Sequence, residues 1–389
     1  MVLMMNSSLS GYRVLDLTDE KGAFCSRLLA DMGADVISVE KAQTAPSRSP
    51  FLAADNFGKR SITLNLESQR GQVIFRQLVE TADIIVESYR PGYLAALALD
   101  YPQLDAINPR LIMASVTDFG QSGDYRDYKS CDMVNSALGG AMFVSGEPGM
   151  PPLQPYGNQS YHSAGLFAAT GILLALWHRH TSGRGQYIDV SAQESVAATL
   201  DHVLVRYFYE GTVAKRQGSL YWNNAFRIFP GRDGDILLTL FYQWETLVEW
   251  LAAEGMAGDL ADKKWQDKEQ RLKHVEHVIA VLERWTRSHT VAELVEKGQA
   301  MRFPWAPVNS VAGLLTNPQL RERSFWLQVE NPLSVMQAQF PGAPCRLSRS
   351  PWQVGSRVPR PGEHNAEVYQ KELGLSAGEI EALARDGII

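Results

Sequence analysis

The sequence predicts an α/β protein with a large Rossmann-like nucleotide-fold domain and a smaller α+β domain. Short apolar segments alternate with helical patterns in the first third of the chain, which is typical of a parallel sheet. A long apolar segment predicts one central helix, and two apolar segments around an Asp-Gly pair predict a hairpin. At 389 residues the chain exceeds the roughly 250 to 300 residues at which single cores stop growing, so we expect more than one domain.

The expected domain boundaries follow from these patterns. We expect the large domain over residues 1–221, the smaller domain over 222–326, and a proline-rich segment over 327–389 that returns to the large domain. The smaller domain is expected to open with a hairpin whose loop contains Asp233-Gly234. Its predicted strands and helices are 225–229, 236–241, 243–253, 266–288 and 291–300.

The large domain begins with a strand–helix–strand pattern. Its predicted strands are 12–17, 35–39, 83–87 and 111–116. A helix over 23–32 that ends at Gly33 joins the first two, with the spacing of a right-handed βαβ crossover. A further helix is expected to start at Pro91. The first turn lacks the GxGxxG glycines, which argues against a dinucleotide site.

The central helix is predicted over 164–177, which is apolar on nearly every side and contains no proline. A helix that is apolar all round is expected in a core, and this one is shorter than the roughly 18 residues of a membrane span. Three basic residues, 178–180, suit the negative end of its dipole. A strand over 187–190, a cap at Ser191 and a helix over 192–209 are expected to follow.

Composition excludes several classes of partner. The net charge of −6 argues against nucleic acid binding, for which a basic surface is needed. No apolar stretch is long enough for a membrane span, and the first residues do not resemble a signal peptide. Three cysteines without CxxC spacing suit a reducing cytoplasm. His274 and His277 lack further ligands nearby in the sequence, so no metal site is expected.

Several segments resemble the family III CoA-transferases. These segments are ALWHRHTSGRGQYIDVS, RLLADMGADVISVEK, GKRSITLNLES and ADIIVESYRPGYLAALALDYPQLDAINPRLIMASVTDFGQSG. The resemblance extends from Gly11 to Ile389. It implies the family fold, in which two subunits interlock, and coenzyme A bound as substrate or thioester without a metal. It also implies transfer of CoA between an acyl-CoA and a carboxylic acid.

The reactive position departs from this resemblance. The family has a catalytic aspartate four residues before Gly165, and Tyr161 is at that position here. In the family, the aspartate attacks the acyl-CoA and later holds CoA as a thioester. A phenol has no carbonyl that could hold CoA, and its usual pKa of about 10 keeps it neutral at pH 7. No Asp or Glu occurs between Met150 and Gly165, so the carboxylate comes from elsewhere or this chain does not perform the covalent step.

The catalytic residues therefore stay unassigned, and Tyr161 and its neighbour His162 are the candidates. The resemblance also implies CoA contacts at eight positions: Thr18, Lys41, Asn65, Leu66, Ser88, Tyr89, Arg90 and Lys129. Basic side chains can bind phosphate and a tyrosine ring can stack on adenine. Alternatively, Lys41 is a solvated surface residue and Tyr89 an aromatic residue at the edge of the core. Ala96 replaces a residue that is commonly basic in the family.

Three functions remain open at this point. We favour one subunit of a hetero-oligomeric CoA-transferase, in which a homologous aspartate-bearing subunit performs the covalent step. The second is a stand-alone acyl-CoA lyase, hydratase or isomerase that uses Tyr161 or His162. The third is a CoA-binding protein without enzymatic activity. The acyl group and the acceptor acid cannot be predicted from the sequence.

Overall fold

The computed structural model describes residues 7–41, 54–221, 226–330, 337–355 and 357–389. The described residues form two compact units, each built from more than one segment. The first unit comprises Met1–Met142, Gln154–Ala214 and Glu322–Ile389. The second comprises Phe143–Leu153 and Lys215–Arg321.

A six-stranded sheet forms the centre of the first unit in the described part of the chain. Its strands are β1 Arg13–Leu17, β2 Asp35–Glu40, β3 Arg60–Thr63, β4 Ile84–Glu87, β5 Ile112–Thr117 and β6 Tyr187–Ser191. All pairs are parallel, and the spatial order is β3-β2-β1-β4-β5-β6. The order in which strands are added changes between β1 and β4, because β2 and β3 lie on one side of β1 and β4 to β6 lie on the other. Open α/β sheets bind ligands at such a switch point. The predicted Rossmann-like architecture is confirmed.

The described helices between Ala23 and Glu210 connect the strands of this sheet or follow its last strand. They are α1 Ala23–Asp31, α2 Gln69–Glu80, α3 Tyr93–Ala96, α4 Tyr101–Ile107, α5 Asp132–Leu138, α6 Ala141–Val144, α7 Gln159–Ser182, α8 Ala192–Ala198 and α9 Asp201–Glu210. Pro91 lies in the turn before α3 and does not start it, because Gly92 takes the cap position in the left-handed conformation, with φ 83°.

Alternation along the strands sends apolar side chains to both faces of the sheet. Val14 and Ala114 belong to the core that α1 and α7 cover, and Leu15 and Met113 belong to the opposite core. α7 approaches α1 closely, because a Cβ at Gly165 would lie 3.1 Å from the backbone nitrogen of Cys25. Both faces of the sheet are therefore covered, as a parallel sheet requires.

The central helix α7 is longer than predicted and is not buried on every side. Its sheet-facing side consists mainly of small residues, Ala164, Gly165, Ala168, Ala169, Ile172 and Ala175. Its opposite side exposes Leu166, Phe167, Leu173, Leu174 and Trp177. The prediction of a helix buried all round is wrong for this chain by itself. Small residues allow the helix to approach the sheet, so the large apolar residues are left on the outer side.

The end of α7 follows the predicted pattern, with one addition. Arg179 and His180 lie in its last turn, and Gly183 ends it in the left-handed conformation. Arg179 is buried and forms an ion pair with Asp83 at 2.9 Å, so it does more than complement the helix dipole. Ser191 caps α8, as predicted. The single helix predicted over 192–209 is instead divided into α8 and α9.

The second unit contains the predicted hairpin and a helical layer. Its described strands are β7 Leu220–Tyr221, β8 Phe226–Pro230, β9 Asp235–Thr239 and β10 Ala306–Pro307, which form an antiparallel sheet in the order β10-β9-β8-β7. Its helices are α10 Trp244–Ala253, α11 Lys268–Lys273, α12 Val275–Thr286, α13 Val291–Ala300, α14 Val311–Thr316 and α15 Pro318–Glu322, with 3₁₀ turns at Gly258–Ala261 and Lys263–Gln266. The helix predicted over 266–288 is divided at His274.

The last segment of the chain packs in the first unit. Its elements are the antiparallel pair β11 Trp326–Glu330 and β12 Gln337–Pro341, the π-helical turn Ala366–Glu372 and α16 Ala377–Arg385. Tyr369 lies in the core below the sheet, and its hydroxyl donates to the carbonyl of Thr63 at 2.7 Å. Within the described residues, no helix combines the length and hydropathy needed to cross a bilayer.

Candidate functional site

Two loops meet at the switch point of the sheet, one after β1 and one after β4. The backbone nitrogen of Asp19 donates to the Ser88 hydroxyl at 2.8 Å, and this hydroxyl donates to the Asp19 carboxylate at 2.8 Å. Thr18 donates its backbone N–H and its hydroxyl to Asp16, at 3.1 and 2.6 Å. Thr18 and Ser88, both predicted CoA contacts, therefore lie on loops that are hydrogen-bonded to each other.

A second group of predicted residues is joined through Glu67. The ammonium of Lys41 lies 3.2 Å from both Glu67 carboxylate oxygens, and the Glu67 N–H donates to Asn65 Oδ1 at 3.0 Å. The Tyr93 hydroxyl donates to Glu67 at 3.4 Å, and the Tyr93 ring packs against Tyr89 with centroids 4.6 Å apart. Lys41, Asn65 and Tyr89 are thus brought into one continuous surface at the carboxyl ends of the strands.

The remaining predicted contacts differ in their surroundings. Leu66 is buried in the core, so only its backbone is available to a ligand. Arg90 is exposed at the rim of a cleft beside β4. Lys129 is exposed in the loop between β5 and α5, and no described hydrogen bond or ion pair joins it to the other predicted residues.

The cleft next to Arg90 has a volume of about 330 Å³ and contains a buried carboxyl group. Burial raises the pKa of Glu87 to about 7, although the Tyr89 N–H donates to its carboxylate at 2.7 Å. Tyr187 lines the same cleft and donates its hydroxyl to Ser115 at 2.8 Å. The floor of the cleft therefore offers a carboxyl group that is partly protonated near neutral pH.

Tyr161, at the position implied for the relay aspartate, is a hydrogen-bond donor. Its side chain is in the core, and its hydroxyl donates to Asp118 Oδ1 at 3.3 Å. Asn135 donates its side-chain amide to the same oxygen at 2.7 Å. Burial raises the pKa of Tyr161 well above its usual range, and the negative charges of Asp118, Glu20 and Asp19 raise it further. The phenol therefore stays neutral and is unsuited to act as a base or nucleophile.

Asp132 is a further acid near Tyr161, and its hydrogen bonds hold the start of α7. Its Oδ1 accepts from the Ser160 backbone N–H at 2.8 Å and from the Ser160 hydroxyl at 2.6 Å. Its Oδ2 accepts from the Gln154 amide at 2.6 Å. An acidic group at a helix start is stabilised by free N–H groups and by the helix dipole. Asp132 thus has the structural role of a cap.

Within the described residues, His162 makes no hydrogen bond that would orient it as a general base, although it is close enough to Asp55 for an electrostatic interaction. Its ring packs edge-on against Phe24, with centroids 4.7 Å apart. Among the described residues, no hydrogen bond or ion pair involves its imidazole. A general base normally needs a group that fixes its tautomer and orientation.

Sequence reasoning missed four acids that shape this site. Asp16, Asp19, Glu67 and Asp118 all lie at or shortly after the carboxyl end of a strand. Asp118 directly follows β5. An acidic residue just beyond a predicted parallel strand is the signal that could have found them, since strand ends converge on one edge.

The six-stranded parallel sheet, with polar loops at its switch point, defines an α/β protein with a Rossmann-like architecture. The chain belongs to CoA-transferase family III, whose sequence profile matches residues 9–365. It is 35% identical to the succinyl-CoA:(R)-benzylsuccinate CoA-transferase subunit BbsE of Thauera aromatica, covering 99% of both chains. It is 32% identical to the succinyl-CoA–L-malate CoA-transferase beta subunit of Chloroflexus aurantiacus, covering 98% of both. A CAIB/BAIF family protein from Brucella suis shares the fold with a TM-score of 0.84 and 27% identity, over 94% of this chain and 99% of that one.

Proposed function

We propose that this chain is the aspartate-lacking subunit of a CoA-transferase that moves CoA between an acyl-CoA and a carboxylic acid. A homologous subunit that has the aspartate would form the covalent intermediate. The observation that supports this proposal most strongly is the neutral Tyr161 at the relay position, which donates to Asp118. Asp118 and Asp132, two of the acids near Tyr161, are engaged in hydrogen bonds within the chain.

Two further observations favour a partner subunit. The outer side of α7 exposes large apolar side chains, among them Leu174 and Trp177 with 64% and 76% exposure. Apolar surface of this kind on one helix commonly marks a protein interface. The relatives in Thauera aromatica and Chloroflexus aurantiacus are themselves named as subunits.

The proposed CoA site lies along the carboxyl ends of β1 to β4. Thr18 and Ser88 lie on its hydrogen-bonded loops, and Lys41, Asn65 and Tyr89 lie on the surface around Glu67. Arg90 and Lys129 would supply charge to the phosphates of CoA, and Tyr89 an aromatic face. Acyl-CoA as substrate and the free cysteines favour a cytoplasmic location.

The test compares the chain alone with the chain co-expressed with an aspartate-bearing family member. Succinyl-CoA and a carboxylic acid acceptor are supplied, CoA transfer is followed by chromatography, and covalent CoA is detected by intact mass. We expect transfer only from the pair, with the CoA adduct on the aspartate-bearing chain. Full transfer by this chain alone, or a CoA adduct on it, would overturn the proposal.

The two other functions receive less support from the site. A stand-alone lyase, hydratase or isomerase needs a proton acceptor, and neither the neutral Tyr161 nor the unoriented His162 provides one. Turnover of succinyl-CoA without an acceptor acid, lost in Tyr161→Phe or His162→Ala, would favour that function. A CoA-binding protein without activity would bind CoA in calorimetry and leave acyl-CoA intact even with the partner present.

A further inference from the structure

Asp118 occupies a fixed place beside the hydroxyl of Tyr161. It directly follows β5, and its backbone carbonyl accepts from the Gln193 N–H at 3.0 Å. Its side chain is held by the Asn135 amide at 2.7 Å and by the Tyr161 hydroxyl at 3.3 Å. Asn135 is itself buried and accepts from the Ser130 hydroxyl at 2.9 Å. The carboxylate is therefore oriented by donors that are fixed in turn.

The charge of Asp118 is not neutralised by the part of the chain that is described. Its two described side-chain partners, Asn135 and Tyr161, are neutral groups, and no described basic side chain forms an ion pair with it. Glu20 and Asp19 add negative charge around the same phenol. A second carboxylate placed beside an unpaired carboxylate is disfavoured in its ionised form, since like charges raise the cost of ionisation.

We propose that Asp118 closes the reactive position of this chain to carboxylates, both the side chain of a relay acid and an acceptor acid. The Tyr161 ring fills the position, and the Asp118 carboxylate repels any anion that would replace it. This inference rests on the proposed function, because it explains what keeps this chain's own position inactive. It assigns to Asp118 the role of a specificity-determining residue rather than a catalytic one.

A consequence is that restoring the relay acid by itself is not enough. In the family reaction the acid attacks the thioester carbonyl and releases CoA thiolate, which leaves a mixed anhydride. The thiolate then attacks the side-chain carbonyl, frees the acyl group as a carboxylate and remains bound as a thioester. The first step needs an ionised acid, and each pKa unit of repulsion leaves about tenfold less of it when the pH lies well below its pKa.

The experiment uses the full chain, with intact mass measured after incubation with succinyl-CoA. At a pH well below the pKa of the introduced acid, we expect Tyr161→Asp/Asp118→Asn to acquire covalent CoA about tenfold faster than Tyr161→Asp. The matched control is Tyr161→Asp/Asp124→Asn, which removes an exposed charge from the same loop and should behave as Tyr161→Asp does. Equal rates in the three variants, or no adduct in Tyr161→Asp/Asp118→Asn, would overturn the proposal.

A second measurement avoids placing an acid in the core. In Tyr161→Ala the ring is removed, and alanine is compatible with a position in a helix. Binding of ¹³C-acetate to this variant is then followed by NMR. Tyr161→Ala/Asp118→Asn should bind acetate about tenfold more tightly than Tyr161→Ala, and equal affinities would contradict the role of Asp118. Neither measurement involves the partner. A failure here is therefore distinct from failure of the subunit proposal, which is tested on the unaltered chain with its aspartate-bearing relative.

Discussion

Lys59 and Asp16 form an ion pair inside the first unit, with 2.7 Å between Nζ and Oδ2 and side-chain exposures of 0% and 2%. The Ser26 hydroxyl donates to the same carboxylate oxygen at 2.7 Å. The other oxygen of Asp16 accepts from the backbone and hydroxyl of Thr18. The pair therefore fixes the loop after β1, which forms one side of the proposed CoA site.

Removing the cation of this pair is expected to destabilise the chain strongly. Lys59→Met should lower the free energy of unfolding by about 3 to 5 kcal/mol, because it leaves the Asp16 charge buried and unpaired. Lys59→Met/Asp16→Leu should lose less of the free energy of unfolding, since no isolated buried charge remains. Lys41→Met is the matched control, because its pair with Glu67 is 55% exposed on both sides and is worth at most about 1 kcal/mol. Urea unfolding followed by circular dichroism measures all three, and equal losses in the two lysine variants would contradict the prediction.

Glu87 should make the stability of the chain depend on pH. Burial raises its pKa from 4.5 to about 7 in the folded chain. The stabilisation is therefore fully present below about pH 4.5, where folded and unfolded forms are both protonated, and it is lost as the pH rises through 7. The loss should be about 3 kcal/mol, from roughly 1.4 kcal/mol per pKa unit.

Glu87→Gln is expected to remove this part of the pH dependence. Unfolding free energies measured in urea from pH 5 to 8 should fall less steeply in Glu87→Gln than in the unaltered chain. Glu80→Gln, which changes an exposed residue at the end of α2, should retain the full decrease of unfolding free energy with pH. Asp31, whose pKa burial raises to about 6, contributes in the same direction in every variant. An unchanged slope in Glu87→Gln would show that this carboxyl group ionises normally in the folded chain.

Arg90 is expected to bind CoA through its phosphates. Arg90→Gln should weaken CoA binding about tenfold or more in calorimetry, since hydrogen bonds between charged groups contribute about 1.5 to 3 kcal/mol. The effect should shrink at high salt, because Arg90 is exposed and its charge is screened there. Arg110→Gln removes an equal charge before β5, at the opposite edge of the sheet, and should leave affinity unchanged. Equal weakening in both variants would point to a general effect of net charge.

The fold was predictable from the sequence where local pattern decides it. The strand–helix–strand opening follows from short apolar segments and a glycine stop at Gly33, and these features depend only on neighbours in the chain. The division of the helix predicted over 192–209 was not predictable, because residues 199 and 200 show no strong breaker. The exposure of one side of α7 was missed for a different reason, since hydropathy cannot distinguish a core face from a face left for a partner.

The site was predictable only in part, because its chemistry depends on contacts between distant residues. The sequence, together with the family resemblance, predicts that the position of the family's aspartate holds Tyr161 and not an acid. The hydrogen bond from Tyr161 to Asp118 joins residues 43 positions apart, and Lys59 and Asp16 are equally far apart in the chain. No local pattern encodes such pairs. They depend on the tertiary fold, which brings Lys59, just before β3, to Asp16 in β1, and Tyr161, in the first turn of α7, to Asp118 after β5.

The outer side of α7 provides the last prediction, which concerns assembly with the proposed partner subunit. Leu174 and Trp177 lie three residues apart on a helix, so they share a face. Leu174→Gln/Trp177→Gln should reduce co-purification with the aspartate-bearing subunit, and light scattering should show a smaller particle. Far-ultraviolet circular dichroism should not change, because both side chains are exposed in the single chain.

Val73→Gln is the matched control for this prediction, because Val73 is 54% exposed on α2, away from α7. It should leave the assembly intact. If both variants assemble normally, the exposed side of α7 is not the contact surface. If both fail, the loss reflects reduced solubility or folding and not a specific interface. Loss in the α7 variant alone would locate the proposed partner on the helix whose first turn contains Tyr161, so that Tyr161 and the subunit contact belong to one structural element.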